Sequence, residues 1–333
     1  MRGGGIDPRR GMTMRKLLVL LLLIALGIAP AVVLSVNKPV RMAYLQNDIH
    51  HLALWVALEK GFFAHEKVDV EISGIFRAGP EVMTAFAAGG LDMAYVGEAP
   101  ATTAVANKAC RVVVVAQVNT EGSALVVATG NAGIGKLSDL GGKTVAIPGH
   151  STVQDFLLKK ALKKEGVDLS RVNVIVLKPP EMINALRTTE IDAFIAWEPY
   201  PSQAATMGLG RKLATSRQMW SGHPCCVLVC DSVFLDANLE RVRGVIRAHV
   251  RATAFIREHP EEAVRIGVKY TGMDAETVRT AMDTVHYTHE LNIEGEKEYV
   301  QFLSELNYIR VESPQYFIEQ FIDGEPLKSV TQK

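Results

Sequence analysis

The chain has 333 residues, with 36 basic and 36 acidic side chains and 48% hydrophobic content. That apolar content excludes a disordered chain, and zero net charge without a Lys/Arg stripe excludes nucleic-acid binding. The balance is uneven: Arg2, Arg9, Arg10, Arg15 and Lys16 face only Asp7 over residues 1–36, which leaves 31 basic and 35 acidic groups in a body long enough for two lobes.

From Leu17 to Val36 the chain runs apolar for 20 residues, broken by Gly27, Pro30 and Ser35. A basic segment before an apolar run predicts export, and the run exceeds the usual signal core while just reaching bilayer-spanning length. Residues 1–37 are therefore expected to be a signal peptide or a membrane anchor. Ala29-Pro30-Ala31 offers small residues to a peptidase, although Pro30 makes a poor site. The run contains no cysteine to carry a lipid, and its basic flank places the body outside the cytoplasm.

The body alternates strand and helix. Strands are expected at Val40 to Leu45, Val68 to Ile72, Met93 to Val96, Val112 to Gln117, Thr144 to Ile147, Val172 to Leu177 and Ala193 to Ala196. Helical stretches near 52–60 and 81–88 lie between the first of these, which argues for parallel α/β sheets. An apolar strand closes the alternation at Cys230. Beyond Leu239 the pattern is helical, near 239–258, 260–270, 274–285, 296–306 and 314–321.

An internal echo runs through the α/β part. Ala85-Phe86, Leu91-Asp92 and Glu98 are matched by Ala185-Leu186, Ile191-Asp192 and Glu198, each 100 positions on. The constant offset argues for two structurally equivalent lobes.

Several segments together resemble the substrate-binding proteins of the nitrate/sulfonate/taurine and thiamine-precursor group. These are Trp55 to Val70 with Glu59-Lys60-Gly61-Phe62-Phe63, Gly79 to Ala88 leading to Leu91-Asp92 and Val96-Gly97, Leu137 to Ala146, and Ile191-Asp192-Ala193 before Trp197-Glu198-Pro199-Tyr200. The resemblance covers about residues 40–270. It implies an α/β, periplasmic-binding-protein-like type II fold: two lobes joined by a hinge, with a helical C-terminal part packed on lobe one. Lobe one would comprise 38–128 and 224–333 and lobe two 129–223, with crossings near Ala128 to Asn131 and Ser221 to Cys225.

It also implies an extracytoplasmic protein, with no catalysis and no cofactor, that delivers a small anionic or organic solute (sulfonate, taurine or nitrate) to the permease and ATPase of an ABC importer. The alternative is a pyrimidine-binding or pyrimidine-synthesising protein of the fungal thiamine-precursor type, to which His51 and the cysteines point.

Five places suit a ligand, since strand ends and helix starts expose unpaired backbone N–H groups. Gln46, His50 and His51 follow the first strand; a capping loop with solvated histidines is the competing reading. Gly79 opens a helix after Arg77, which is read as a solvated arginine. Gly97, Glu98 and Ala99 join a strand to a helix with proline in its first turn. Ser151 and Thr152 supply hydroxyls at a helix start, where capping is the bland role. Trp197 and Glu198 end the echoing strand; Trp197 either covers a ligand or packs in the hinge. Trp55 and Trp197 near sparse Arg/Lys favour an organic ligand.

Cys110, Cys225, Cys226 and Cys230 are too few and too clustered for a disulfide framework and are expected as buried free thiols. Adjacent side chains on a strand point to opposite faces, so Cys225 and Cys226 are not expected to share a metal without a bend, and no metal site is assigned.

Overall fold

The computed structural model describes residues 38–332, and the predicted export or anchor segment lies outside the described residues. Eleven strands are present among the described residues: β1 (Val40–Leu45), β2 (Val70–Phe76), β3 (Met93–Gly97), β4 (Val112–Glu121), β5 (Ser123–Ala128), β6 (Thr144–Ile147), β7 (Asn173–Val176), β8 (Ala193–Trp197), β9 (Gly210–Thr215), β10 (Pro224–Asp231) and β11 (Val285–Tyr287).

They form two sheets. The first has the order β11-β4-β10-β3-β1-β2 and the second β7-β6-β8-β5-β9. In the first, β1 runs parallel to β2 and β3, and β10 lies antiparallel to β3. In the second, β6 runs parallel to β7 and β8, and β5 lies antiparallel to β8. The same pattern is thus built twice, and the echo in the sequence is its trace.

The helices Gly79–Ala87 and Pro179–Arg187 occupy equivalent places, as do β3 and β8. Even the aspartates act alike: the Asp92 carboxylate accepts the Arg41 N–H at 2.8 Å, and the Asp192 carboxylate accepts the Thr144 N–H at 2.9 Å. Each clips the start of its following strand to the first parallel strand of its own sheet.

The chain leaves the first sheet at Gly122 and returns near Gly222 and His223. The first passage therefore precedes the expected one, because Ser123–Ala128 pairs with β8 and β9 in the second sheet. Its apolar run, SALVVA, fits a strand of either sheet, and only the pairing decides which. Gly122 has φ +85°, and a Cβ there would collide with His50 Nε2, so the passage needs glycine twice over.

The C-terminal helices are Leu239–Glu258, Pro260–Thr271, Ala275–Met282, Ile293–Glu305 and Pro314–Phe321, close to expectation, with an added Glu325–Thr331 and the short β11. Leu239–Glu258 packs on the helix Leu52–Glu59 beside the first sheet. The tail also touches the second-sheet region, where Thr277 Oγ1 lies 2.7 Å from Thr206 Oγ1. Lys163 pairs with Glu305 at 2.6 Å, and Lys160 pairs with Glu298. No helix among the described residues is long and apolar enough to cross a membrane.

Candidate functional site: the cleft between the sheets

A cavity of about 10 Å³ lies where the carboxyl ends of β1, β3 and β8 converge. Leu45, Asp48, Gly79, Gly97 and Pro100 line it from the first-sheet side, Thr152, Val153, Gln154 and Trp197 from the second, with Cys225 and Cys226 between. In this conformer it has room for about one water or ion.

Backbone chemistry explains how the walls come so close. A Cβ on Gly79 would stand 3.0 Å from Pro100 Cβ, and one on Gly97 would stand 3.2 Å from Val153 Cγ2. Glycine at 97 therefore lets the β3 end touch the helix Val153–Lys164 across the cleft. Thr152 caps that helix, accepting the Asp155 N–H at 3.2 Å, while its own hydroxyl donates to the Gly149 carbonyl at 2.8 Å. Trp197, also on the wall, is buried and its Nε1 has no protein partner.

Of the expected contacts, Gly79, Gly97, Thr152 and Trp197 meet in this cavity. Gln46 is exposed at the end of β1. Ala99 is wholly buried in the first turn of its helix and is not part of the wall. Ser151 has φ +60° and lines, with His150, a separate groove of about 340 Å³ that shares Pro100 with the cavity. Arg77 is largely exposed near Glu181, as a solvated arginine should be. Trp55 is far from a ligand-facing role: it is fully buried and stacks on Tyr270 at 5.1 Å.

Neither Glu98 nor Glu198, both buried, lines the cavity. Glu98 accepts from Gln117 Nε2 at 3.3 Å and is hydrogen-bonded to the Glu296 carboxyl, which Thr102 also contacts at 2.8 Å. Burial pushes Glu98 up to about 7 and Glu296 well above its ordinary range, so the two hold a proton at neutral pH. Glu198 instead pairs with Lys212 at 2.6 Å and accepts the Ser202 N–H at 3.0 Å.

His51 is also buried: its Nδ1 accepts the Leu45 N–H at 3.1 Å, and its ring meets Tyr95 edge-on. Burial, with His50 alongside, lowers its pKa well below the usual imidazole range, so it is neutral.

The two thiols correct the expectation that they point apart. The register of β10 slips between Pro224 and Cys226, where Pro224 faces Thr120 and Cys226 faces Asn119. Cys225 is the extra residue of a bulge, which supplies the bend that ordinary strand alternation denies. Both sulfurs lie 3.6 Å from His50 Nδ1. The imidazole is aimed by its other nitrogen, which donates to the Gly122 carbonyl at 2.8 Å. Asp48 Oδ1 stands 3.3 Å from the same Nδ1.

Burial alone would lower the His50 pKa, but Asp48 and Cys225 outweigh it and raise it to about 10. Burial pushes Asp48 up to about 7, and the Cys225 thiol, despite burial, falls well below its usual range through Cys226 and His50. Cysteines 225, 226 and 230 are buried free thiols, and Cys110 is half-buried.

Sequence reasoning missed Asp48, Gln154 and the cysteines as cavity residues. The capping position of Asp48, two residues before His50, was the available signal for it; nothing local marks the bulge.

Two sheets of the same strand order, joined by two crossings around a cleft at strand ends, make this the fold of the periplasmic binding proteins. The ligand-binding component of an ABC-type import system from Staphylococcus aureus, solved with zinc bound, superposes with a TM-score of 0.78 at 17% identity, covering 89% of this chain and all of that one. The alkanesulfonate-binding protein of Xanthomonas axonopodis bound to MOPS gives 0.75 at 17% identity, covering 86% and 98%.

The chain belongs to the NMT1-like family, whose model matches residues 35–268. A putative binding protein of Brucella abortus is 28% identical over 271 residues, covering 80% of this chain and 82% of that one.

Proposed function

We propose that this protein is the extracytoplasmic solute-capturing subunit of an ABC importer. It has no chemistry of its own: lobe one is built on the first sheet and lobe two on the second, and they close on a small solute. The observation that carries this reading is the cavity itself, whose walls come from both sheets and whose glycines let Pro100 and Val153 approach the backbone closely. The contacts proposed for the solute are Gly79, Gly97, Thr152 and Trp197, joined by Gln154, with Ser151 at the rim groove.

The cavity wall contains no Lys or Arg, so an anion would be held by backbone N–H groups and the Trp197 indole rather than by a countercharge. That favours an organic sulfonate with an apolar body over bare nitrate. Residues 1–37 serve in this reading to carry the protein out of the cytoplasm or to hold it at the membrane beside the permease.

A thermal-shift panel of alkanesulfonates, taurine, nitrate and the thiamine pyrimidine tests it. A bound solute at 100 times its Kd stabilises the native state by about 2.7 kcal/mol. Gly97→Trp should erase the shift while leaving the unliganded melt within a few degrees of wild type. A panel in which nothing shifts, or a variant that responds like wild type, overturns the assignment of solute class or of site respectively.

A further inference from the structure

We propose that His50, Cys225 and Cys226, with Asp48 beside His50, form a binding site for a zinc-type divalent metal ion on the floor of the cleft. The site does not depend on which solute the cleft takes. Three observations carry it.

The first is spacing. A tetrahedral ion with metal–sulfur and metal–nitrogen distances of about 2.3 and 2.0–2.1 Å sets its sulfur and nitrogen donors about 3.6 Å apart. His50 Nδ1 lies 3.6 Å from each thiol sulfur, and the three donor atoms fall within 4.8 Å of one another. The same geometry puts an oxygen and a nitrogen donor about 3.4 Å apart. Asp48 Oδ1 lies 3.3 Å from His50 Nδ1.

The second is the aim of the imidazole. A metal-bound histidine characteristically donates its other N–H to a carbonyl or carboxylate, which fixes the tautomer and the ring. His50 Nε2 does this to the Gly122 carbonyl at 2.8 Å, leaving Nδ1 directed at the sulfurs.

The third is the backbone. An ordinary strand would separate the two thiols, and the bulge at Cys225 brings both to one side. Asp48, His50, Cys225 and Cys226 are all buried, and Asp48, Cys225 and Cys226 border the cleft cavity.

Two thiolates with an imidazole and a carboxylate suit zinc; calcium and magnesium want oxygen alone. The donors come from two places that meet only on folding: the turn after β1, and the start of β10 just past the second crossing. Gly122, which holds His50, is the first crossing. An ion here ties the ligand loop to both connections between the sheets.

The test uses the untagged full chain, reduced, stripped with chelator and titrated with Co(II) and then Zn(II) without oxygen. Expected are one ion per chain, sulfur-to-cobalt charge-transfer absorption with the intense visible bands of a tetrahedral centre, and displacement of Co(II) by Zn(II). Cys225→Ser and Cys226→Ser should each weaken zinc binding at least about 100-fold, since outer-shell changes alone cost ~10–100-fold. Cys110→Ser and Cys230→Ser should leave binding unchanged.

X-ray absorption of the wild-type zinc complex needs no variant and should count two sulfur ligands. A sulfur-free shell, uptake unaffected by both Cys225→Ser and Cys226→Ser, or uptake of Cu(I) with none of Zn(II) overturns the site. If the metal fails while a panel solute still raises the melting temperature, the inference falls and the solute-binding reading stands.

Discussion

Glu98 and Glu198 leave equivalent strands of the two sheets, 100 positions apart, and the fold neutralises them in opposite ways. Glu198 lies beside β9, whose Lys212 side chain reaches in from the half-open edge of the second sheet and pairs at 2.6 Å. Glu98 lies under the helix Ile293–Glu305, which brings another acid, Glu296, so a proton takes the place of a cation. Duplicated backbone geometry does not duplicate electrostatics, because the charge on a buried side chain is settled by whatever packs over it.

The largest effect that would break this comparison is at Lys212. Lys212→Met strands the Glu198 carboxylate with the Ser202 N–H, and should cost about 3 kcal/mol in urea denaturation at pH 7. A loss below about 1 kcal/mol would mean that Lys212 does not carry the neutralisation of Glu198 and that the contrast with Glu98 fails.

At Glu98 the signature is pH dependence. Its folded pKa, about 7, lies above the ordinary 4.5, so its contribution is complete below about 4.5 and is lost as pH rises through about 7. Midpoints of denaturation should therefore fall by roughly 1–3 kcal/mol in ΔG between pH 5 and 8 in wild type. Glu98→Gln should flatten that slope, and Glu198→Gln should not. Equal slopes in wild type and Glu98→Gln would remove the shared proton from the account.

A smaller contrast sharpens the same comparison at the aspartates. Asp92 takes the Arg41 guanidinium at 2.6 Å as well as the backbone N–H and is nearly buried, whereas Lys143 stands 3.8 Å from the more exposed Asp192. Asp92→Asn should cost about 1–2 kcal/mol and Asp192→Asn about 0.5 kcal/mol by thermal denaturation. The reverse order would show that the first sheet's clip is no stronger than the second's.

Much of the fold was legible because its signals are local. Hydrophobic runs marked β1 at Val40–Leu45 and β6 at Thr144–Ile147, amphipathic periodicity marked the tail helices, and the 100-residue echo marked the repeated unit. β5 and β9 were not foreseen, since an apolar stretch such as SALVVA carries no mark of the sheet it joins. Of the cavity lining, glycines 79 and 97, Thr152 and Trp197 were expected from the sequence, where a strand end or helix start was itself the reason. It was illegible at Cys225 and Cys226, whose common direction depends on a register slip against β4.

By itself, the sequence determined the strand and helix alternation, the duplicated unit and the family, because each is written in short-range periodicity or in recurring segments. The tertiary structure alone decided the passage between sheets at Gly122, the proton held by Glu98 and Glu296, and the meeting of His50 with two thiols. Each of these depends on partners 70 to 200 residues apart in the chain, and no local pattern encodes which distant group will arrive.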